Sequence, residues 1–480
     1  MVRVQSSNTV RATAALYIAG VYALGVFSTG AWSDDYAAYL DPNATGLHAI
    51  KDGRLLYGVL IEFGFSQINN VSGLVFIRLF GLLGLILLSD LVIQRLMKPD
   101  RWAVVTLATV VSFTLPSFQF SAHWAIAFGM SWAAYLSVLG YMYFEKRRSG
   151  DYFIGGVLIT ASILIYPLMS FFVVSFAYCR LITLGGNPRE LLRELYRLSI
   201  YLVTGMSFAA ISTFIFLKVN KLEANPRVAL VSLYDFPEKL YWFVSRPIAL
   251  SFRPLLINSP TVIETLLFCF FSFTLLSLLF FSINQSLKKM FINLTFLFTF
   301  LVFSIAPLLL TTQNQIDLRF IGANTWLVLF VLIYLFGESL AKFRDVFVLR
   351  LFRISVTIFL LIGGFFTIND RFLKVIQPIY SMNQIFIKQS IASCTEQQVA
   401  KGLVVTQRTA EWKIKPLLGM FSQTTDFQSD WVPFGAIKIY LSSNEIQTNR
   451  ILPNDSVELL TKYCSIDLNE YESLTTRVRE

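Results

Sequence analysis

Residues 74–93 read LVFIRLFGLLGLILLSDLVI, and only Arg78 and Asp90 in this segment are charged. A helix needs about 20 predominantly apolar residues to cross a bilayer. Of the 480 residues, 55% are hydrophobic and only 15% are charged, whereas soluble domains contain about 25% charged residues. The sequence therefore predicts an all-α polytopic membrane protein. Further apolar segments lie at 10–28, 102–118, 124–144, 198–217, 261–283, 291–310, 321–341 and 350–368.

The segment from Tyr152 to Cys179 is ambiguous because Pro167 interrupts it, and proline removes a helical hydrogen bond. Short loops rich in Lys and Arg stay on the cytoplasmic side of a membrane. A single span over 152–179 would place two such loops on opposite sides, whereas a hairpin with its tip near Tyr166 places all of them on one side. We therefore predict eleven membrane segments, two of them short, with a cytoplasmic N-terminus. The basic loops lie at 94–101, 145–150, 180–197, 284–290 and 341–353.

This topology places residues 370–480 outside the cytoplasm, after a membrane domain over 1–369. The tail contains equal numbers of basic and acidic residues, so the net charge of +10 resides in the loops of the membrane domain. That distribution is typical of membrane topology and not of nucleic-acid binding. Strand-like runs at Gly402–Thr406 and Ala436–Leu441 predict a small α/β domain. Cys394 and Cys464 are candidates for a disulfide in that domain, and Cys179 and Cys269 are expected to be buried thiols.

The densest group of polar residues follows the first apolar segment, in an outer loop over 29–73. It reads Trp32-Ser33-Asp34-Asp35-Tyr36, and the loop continues with GLHAIKDGR at 46–54. One interpretation is structural: Ser33 or Asp34 caps a short helix over 35–40, where acidic groups are favoured. The other is catalytic: one of the two carboxylates is a general base that accepts a proton from an attacking hydroxyl. Adjacent residues point in different directions, so one base with one orienting residue fits better than a facing pair.

This combination of Asp34-Asp35 with Gly46, Gly53 and Arg54 resembles the Gtr-type serotype-converting glucosyltransferases of bacterial O-antigen. Those enzymes belong to the GT-C class of membrane glycosyltransferases. The resemblance implies a multi-pass protein of the bacterial inner membrane with a periplasmic C-terminus. It further implies an inverting transfer of a hexose, with glucose expected, from a polyprenyl phosphate such as undecaprenyl phosphate to O-antigen or another surface glycan. A donor synthase and a flippase would act in the same pathway, and no cofactor or metal is implied.

A phosphate leaving group needs positive charge nearby, and four arginines are candidates to supply it. Arg319 lies with Gln313 in the late polar loop QNQIDLRF, whereas Arg54, Arg78 and Arg253 lie in or beside earlier outer loops. Each arginine could instead anchor its segment at the membrane interface. His123 and Trp124 begin another apolar segment, where they could contact the sugar or serve as interfacial residues.

Several other functions receive less support from the sequence. Neither a phosphate-binding glycine loop nor a set of mid-membrane carboxylates is present, which argues against nucleotide use and against proton-coupled transport. With two histidines in the chain, a histidine-built metal site is not expected. The alternatives that remain are a GT-C transferase for another sugar or for a lipid A or protein acceptor, a lipid-linked sugar flippase, and an O-antigen polymerase.

Overall fold

Helices dominate the computed structural model of the protein. It describes residues 2–28, 34–68, 72–97, 101–146, 148–185, 187–252, 262–312, 318–341, 347–371, 373, 387–401, 403–406, 451–453 and 464–467. The helices of the first half are α1 (Val2–Val26), α2 (Asp34–Leu40), α3 (Pro42–Lys51), α4 (Leu55–Ser66), α5 (Gly73–Leu96), α6 (Trp102–Phe113), α7 (Pro116–His123), α8 (Gly129–Glu145), α9 (Ser149–Ile165), α10 (Pro167–Ser170) and α11 (Phe172–Leu184). Those of the second half are α12 (Pro188–Val219), α13 (Phe236–Phe243), α14 (Ala249–Ser251), α15 (Val262–Asn284), α16 (Leu287–Ser304), α17 (Ala306–Leu310), α18 (Gly322–Ala341) and α19 (Phe347–Arg371).

Among the described residues, seven helical segments are long and apolar enough to cross a membrane, or eight if α6 and α7 together form one span. These lengths fit a polytopic all-α protein but not the predicted eleven segments. Three of the predicted segments are missing from this count. Each corresponds to an apolar helix whose described residues are too few to cross a membrane. Those three are Ser149–Ile165, Cys269–Asn284 and Ile354–Asn369.

The segment predicted at 102–118 does not form one continuous helix. Helix α6 ends at Phe113, and α7 begins at Pro116 with its axis bent by 67° from that of α6. Proline has no backbone N–H and is favoured in the first turn of a helix, so Pro116 starts a new helix instead of continuing the old one. Every residue of α7 is buried, which places this short polar helix inside the bundle.

The reversal predicted near Tyr166 is confirmed. Helices α8 and α9 are antiparallel, since Ser162 Oγ of α9 donates a hydrogen bond to the Ala133 carbonyl near the start of α8 (2.6 Å). Arg180, near the end of α11, forms an ion pair with Glu145 at the end of α8. The chain therefore returns to the end of the bundle from which α9 started, and the turn lies at the extended residue Tyr166.

The helix ends that flank the basic loops lie together at one end of the bundle, as predicted. Helices α5 and α8 are parallel. Gly81 lies against Phe128, and three residues further along both helices Gly84 lies against Ser131, so residue numbers rise in the same direction. The loops that follow these two helices are therefore at the same end. Arg101 at the start of α6 pairs with Glu338 at the end of α18 (3.2 Å), which adds that helix end to the group.

Two further contacts complete this basic end. Helices α11 and α16 are antiparallel: Tyr178 Oη donates to the Asn293 carbonyl (3.0 Å), and the Phe171 and Phe303 rings lie 6.2 Å apart. The loop before α16 therefore lies at the basic end. Arg11 in α1 pairs with Asp90 near the end of α5 (2.6 Å), which places the start of the first helix there as well.

The tail contains a three-stranded parallel sheet in the order β2-β1-β3. Strand β1 (Leu403–Thr406) lies within the strand predicted at 402–406, and it pairs with β2 (Ile451–Pro453) and β3 (Cys464–Asp467). The strand predicted at 436–441 lies outside the described residues. Cys394 is disulfide-bonded, whereas Cys179 and Cys269 are free. The side chain of Cys464, the partner that the sequence predicts, lies outside the described residues.

Candidate functional site

The acidic motif lies at the end of the bundle opposite the basic loops, on helix α2. This helix spans Asp34–Leu40 and confirms the short helix predicted over 35–40. Asp34 begins the helix, and its side chain, like Trp32 and Ser33, lies outside the described residues. The two adjacent carboxylates therefore occupy successive positions in the first turn of a short helix.

Asp35 is fully buried and accepts hydrogen bonds through both carboxylate oxygens. Oδ1 accepts from the backbone N–H of Ile126 at 2.7 Å, and Oδ2 accepts from that of Ala125 at 3.3 Å. The Arg78 guanidinium lies 3.6 Å from Oδ2. Burial of a carboxylate is costly unless it is paired and hydrogen-bonded, and here it is both. Asp35 thus joins helix α2 to the segment that follows α7.

The donors to Asp35 come from a break in the chain between two helices. Helix α7 ends at His123, Trp124 is extended, and a single 3₁₀ turn over Ala125–Ala127 leads into α8. The first N–H groups of a helical turn have no partner within it. Asp35 supplies that partner from elsewhere in the chain, and a negative charge is favoured at this position.

Arg78 is the cation of this network and is only 2% exposed. Its Nη1 donates to the Ser28 carbonyl at 2.7 Å and lies 3.1 Å from Ser28 Oγ. Ser28 directly follows the first helix, so Arg78 connects the end of α1 with Asp35 on α2. We define the Asp35 network as Ser28, Asp35, Arg78 and the backbone N–H groups of Ala125 and Ile126.

His123 and Trp124 lie beside this network and are both buried. The His123 ring packs against α1 at Gly25, so closely that a Cβ added to Gly25 would lie 2.2 Å from the ring. It also contacts the Tyr22 ring edge-on, with the two ring centroids 5.3 Å apart. Trp124 is 5% exposed and packs on Phe120 with ring centroids 5.5 Å apart. The sequence predicts that these two side chains contact sugar or the membrane interface, but in the structure both pack inside the protein.

Arg54 belongs to a separate cluster at the same end of the bundle. It forms an ion pair with Asp52, and its guanidinium lies 5.8 Å from the Tyr57 ring centroid and 5.7 Å from that of Tyr166. His48 Nε2 lies 3.8 Å from Asp52 Oδ2. These five side chains form the Arg54 cluster, in which Arg54 keeps 24% of its side-chain surface exposed.

The two glycines of the motif have structural roles. Helices α3 and α4 cross so closely that a Cβ at Gly46 would lie 2.6 Å from the Gly58 carbonyl oxygen. Gly53, in the turn between these helices, has φ +80°, which side chains other than glycine rarely adopt. The spacing of Gly46, Gly53 and Arg54 thus builds the helical hairpin that carries the Arg54 cluster.

The structure brings together four of the predicted site residues, Asp35, Arg78, His123 and Trp124, and it places Arg54 in its own cluster. Gln313 and Arg253 lie outside the described residues, and so does the side chain of Arg319. Ser28, Asp52 and Tyr166 were not predicted as site residues. Asp52 could have been found as the carboxylate two residues before Arg54. Nothing in the sequence marks the backbone donors of residues 125 and 126.

The described part of the chain contains no group of three or more His, Cys, Asp or Glu side chains arranged to hold a metal ion. Fold and site together define a polytopic helical protein with a buried acid–arginine network at one end of its bundle and basic loops at the other. Comparison with protein-family models, with curated proteins and with solved structures found no match to this chain.

Proposed function

We propose that this protein is a GT-C-like glycosyltransferase of a bacterial inner membrane. It moves a hexose from a polyprenyl phosphate to O-antigen or another surface glycan on the outer face, with inversion at the anomeric carbon. The observation that carries the proposal is the placement of helix α2, which begins with Asp34 and Asp35 and lies at the end of the bundle opposite the basic end. Because basic loops stay in the cytoplasm, this placement supports an outer-face position for Asp34 and Asp35 in the proposed reaction.

Asp34 and Asp35 have different roles in this proposal. Both oxygens of Asp35 already accept hydrogen bonds inside the protein, so this residue positions helix α2. Asp34 then remains as the general base. Its carboxylate takes the proton of the acceptor hydroxyl, and the hydroxyl oxygen bonds to the anomeric carbon. The bond from that carbon to the phosphate oxygen breaks, and the phosphate leaves with the electron pair.

The departing phosphate acquires negative charge and needs a cation within reach. Arg54 meets this need better than Arg78, since its guanidinium is partly exposed whereas that of Arg78 is enclosed. Arg54 is also positioned by the Tyr57 and Tyr166 rings. We propose that Arg54 and Arg319 contact the donor phosphate and that Arg78 acts through Asp35.

The tail supports the same orientation. Disulfides persist in oxidising compartments and are rare in the cytosol, and Cys394 is disulfide-bonded. We propose that residues 370–480 form a periplasmic α/β domain and that eleven segments, some of them short, lie in the membrane. A donor synthase and a flippase would supply the lipid-linked sugar to the outer face.

The test is structural analysis of surface polysaccharide from cells that express the wild type or an acidic variant. Asp34→Asn should abolish the added hexose while the protein still inserts, because an amide cannot accept the proton. Asp41→Asn is the matched control: Asp41 caps α3 from the same loop, and asparagine caps equally well. A flippase needs no base, so normal polysaccharide from an Asp34→Asn strain would refute the transferase.

A further inference from the structure

A second site lies at the basic end, where α8, α11 and α12 meet. The structure contains a cavity of about 300 Å³ there, a volume within the range of small-molecule pockets. Leu181 and Leu184 form part of its wall. The charged side chains of the wall are Glu145, Arg180, Glu190, Arg193, Glu194 and Arg197. We refer to it as the basic-end cavity.

The three glutamates of the cavity already have partners within the protein. Glu145 pairs with Arg180, and Glu194 lies 3.6 Å from Arg197. Glu190 closes the capping box at the start of α12, where its carboxylate accepts the backbone N–H of Asn187 at 3.0 Å. The acidic groups are thus used to build the cavity wall and to hold its arginines in place.

The arginines are more accessible than the acids that hold them. Arg197 is 30% exposed whereas its partner Glu194 is 6% exposed, and Arg180 is 28% exposed against 20% for Glu145. Arg193 is exposed, and no carboxylate among the described residues forms an ion pair with it. A guanidinium carries five N–H donors, so each paired arginine keeps donors available. The cavity is therefore lined by three guanidinium groups, those of Arg180, Arg193 and Arg197.

The wall itself carries three arginines and three glutamates, so the net positive charge comes from the surroundings. Residues 145–197 contain seven Lys and Arg against four Asp and Glu. Planar guanidinium groups bind phosphate oxygens through two parallel hydrogen bonds. The chemistry that fits the cavity is therefore a phosphate group, as a monoester or a diester.

An apolar surface continues from the mouth along α12. Leu192 is 59% exposed and Tyr196 69%, and Ile200 and Val203 extend this surface by further turns of the helix. Tyrosine is enriched where a membrane meets water. A phosphate at the cavity would thus have a path for acyl chains directly beside it.

We infer that the basic-end cavity binds the phosphate group of an anionic lipid, through Arg193 and Arg197, with the lipid chains along Tyr196 and Ile200. This site is remote from the Asp35 network and does not rest on the proposed transferase activity. Recognition of a phospholipid headgroup is thereby assigned to the basic end of α12.

The experiment uses the full-length protein, purified in a neutral detergent and delipidated. Native mass spectrometry measures retention of phosphatidylglycerol against that of phosphatidylcholine. Arg193→Ala should lower phosphatidylglycerol retention about tenfold, since one lost charge-assisted hydrogen bond is worth at least about 1.4 kcal/mol. Arg189→Ala is the matched control, because Arg189 is exposed one turn earlier on α12 but does not line the cavity. That variant should retain the lipid to within about twofold.

Inorganic phosphate distinguishes the two possible sources of the ligand. Displacement of phosphatidylglycerol by millimolar phosphate would assign recognition to the phosphate group itself, and resistance to displacement would assign it to the whole lipid. Equal losses in Arg193→Ala and Arg189→Ala would overturn the proposal, because they would indicate diffuse attraction by the basic loops. Equal retention of the two phospholipids by the wild type would overturn it as well. Arg193→Glu repeats the test by charge reversal, with circular dichroism as the check on folding.

Discussion

Replacement of Asp35 by asparagine should destabilise the protein strongly, and replacement of Asp34 should not. In Asp35→Asn, Arg78 keeps its bonds to Ser28 but loses the negative charge 3.6 Å away, in a site where it is 2% exposed. Removal of one member of a buried ion pair costs about 3–5 kcal/mol. Asparagine keeps only one oxygen, and its amide nitrogen cannot accept a hydrogen bond, so the backbone N–H of either Ile126 or Ala125 loses its acceptor. The loss of one such hydrogen bond costs about 1–3 kcal/mol. Because the two effects overlap, we expect a total of about 4 kcal/mol.

The assay is thermal unfolding in neutral detergent, followed by near-ultraviolet circular dichroism. For a chain of this size, a loss of about 4 kcal/mol should lower the midpoint by roughly 4 °C. Arg78→Met, and the double variant of both residues, complete a mutant cycle. Residues in one network couple by about 0.5–3 kcal/mol, so the double variant should lose less stability than the sum of the single losses. Simple additivity, or an Asp35→Asn midpoint equal to that of Asp34→Asn, would refute the role assigned to the Asp35 network.

Four further predictions concern other parts of the chain. Gly58→Ala should cost about 1–3 kcal/mol in thermal unfolding, because its Cβ would lie 2.4 Å from a backbone oxygen. The control Gly20→Ala, with no atom within 4 Å, should gain up to about 1 kcal/mol. Burial lowers the pKa of Lys239 from 10.5 to about 8, so below pH 8 the folded state bears the full cost of the charged amine. That cost disappears as the pH rises from 8 to 10.5, and Lys239→Met should stabilise by roughly 1–3 kcal/mol at pH 7 but little at pH 10.5. Alkylation of the unfolded, unreduced protein should label two of the four cysteines, and labelling of all four would exclude the Cys394 bridge. Arg319→Ala should reduce transfer about 10²–10³-fold, with partial rescue by lysine, if this side chain contacts the donor phosphate; unchanged transfer would assign that contact to Arg54 alone.

The predicted topology succeeded where the signal was local and failed where it depended on context. The reversal at Tyr166 followed from the positions of Pro167 and of the basic loops, and the ion pair of Arg180 with Glu145 confirms it. The bend between α6 and α7 was not predicted, because the apolar character of the segment outweighed Pro116. Hydropathy averages over a window and does not register the single position at which a helix turns.

The candidate site was predicted only in part. The Asp-Asp motif and the short helix that carries it were visible in the sequence, as were Arg78 and His123. Their roles could not be assigned, because a carboxylate that positions a helix and one that acts as a base have the same residue type. In the structure both oxygens of Asp35 accept backbone hydrogen bonds inside the protein, and this arrangement favours the structural interpretation for that residue.

The sequence by itself determined that this protein is helical, that it has many apolar segments and that its basic loops lie together. Those properties are local, since the crossing of a bilayer depends on the length and apolarity of one segment and loop charge acts close to that segment. Only the tertiary structure decided that Asp35, Arg78 and the backbone of residues 125 and 126 meet. These groups come from three separate parts of the chain, and two of the donors are backbone N–H groups that every non-proline residue possesses. The packing of α1, α5 and α8 brings them together, and no residue type or spacing encodes that packing by itself.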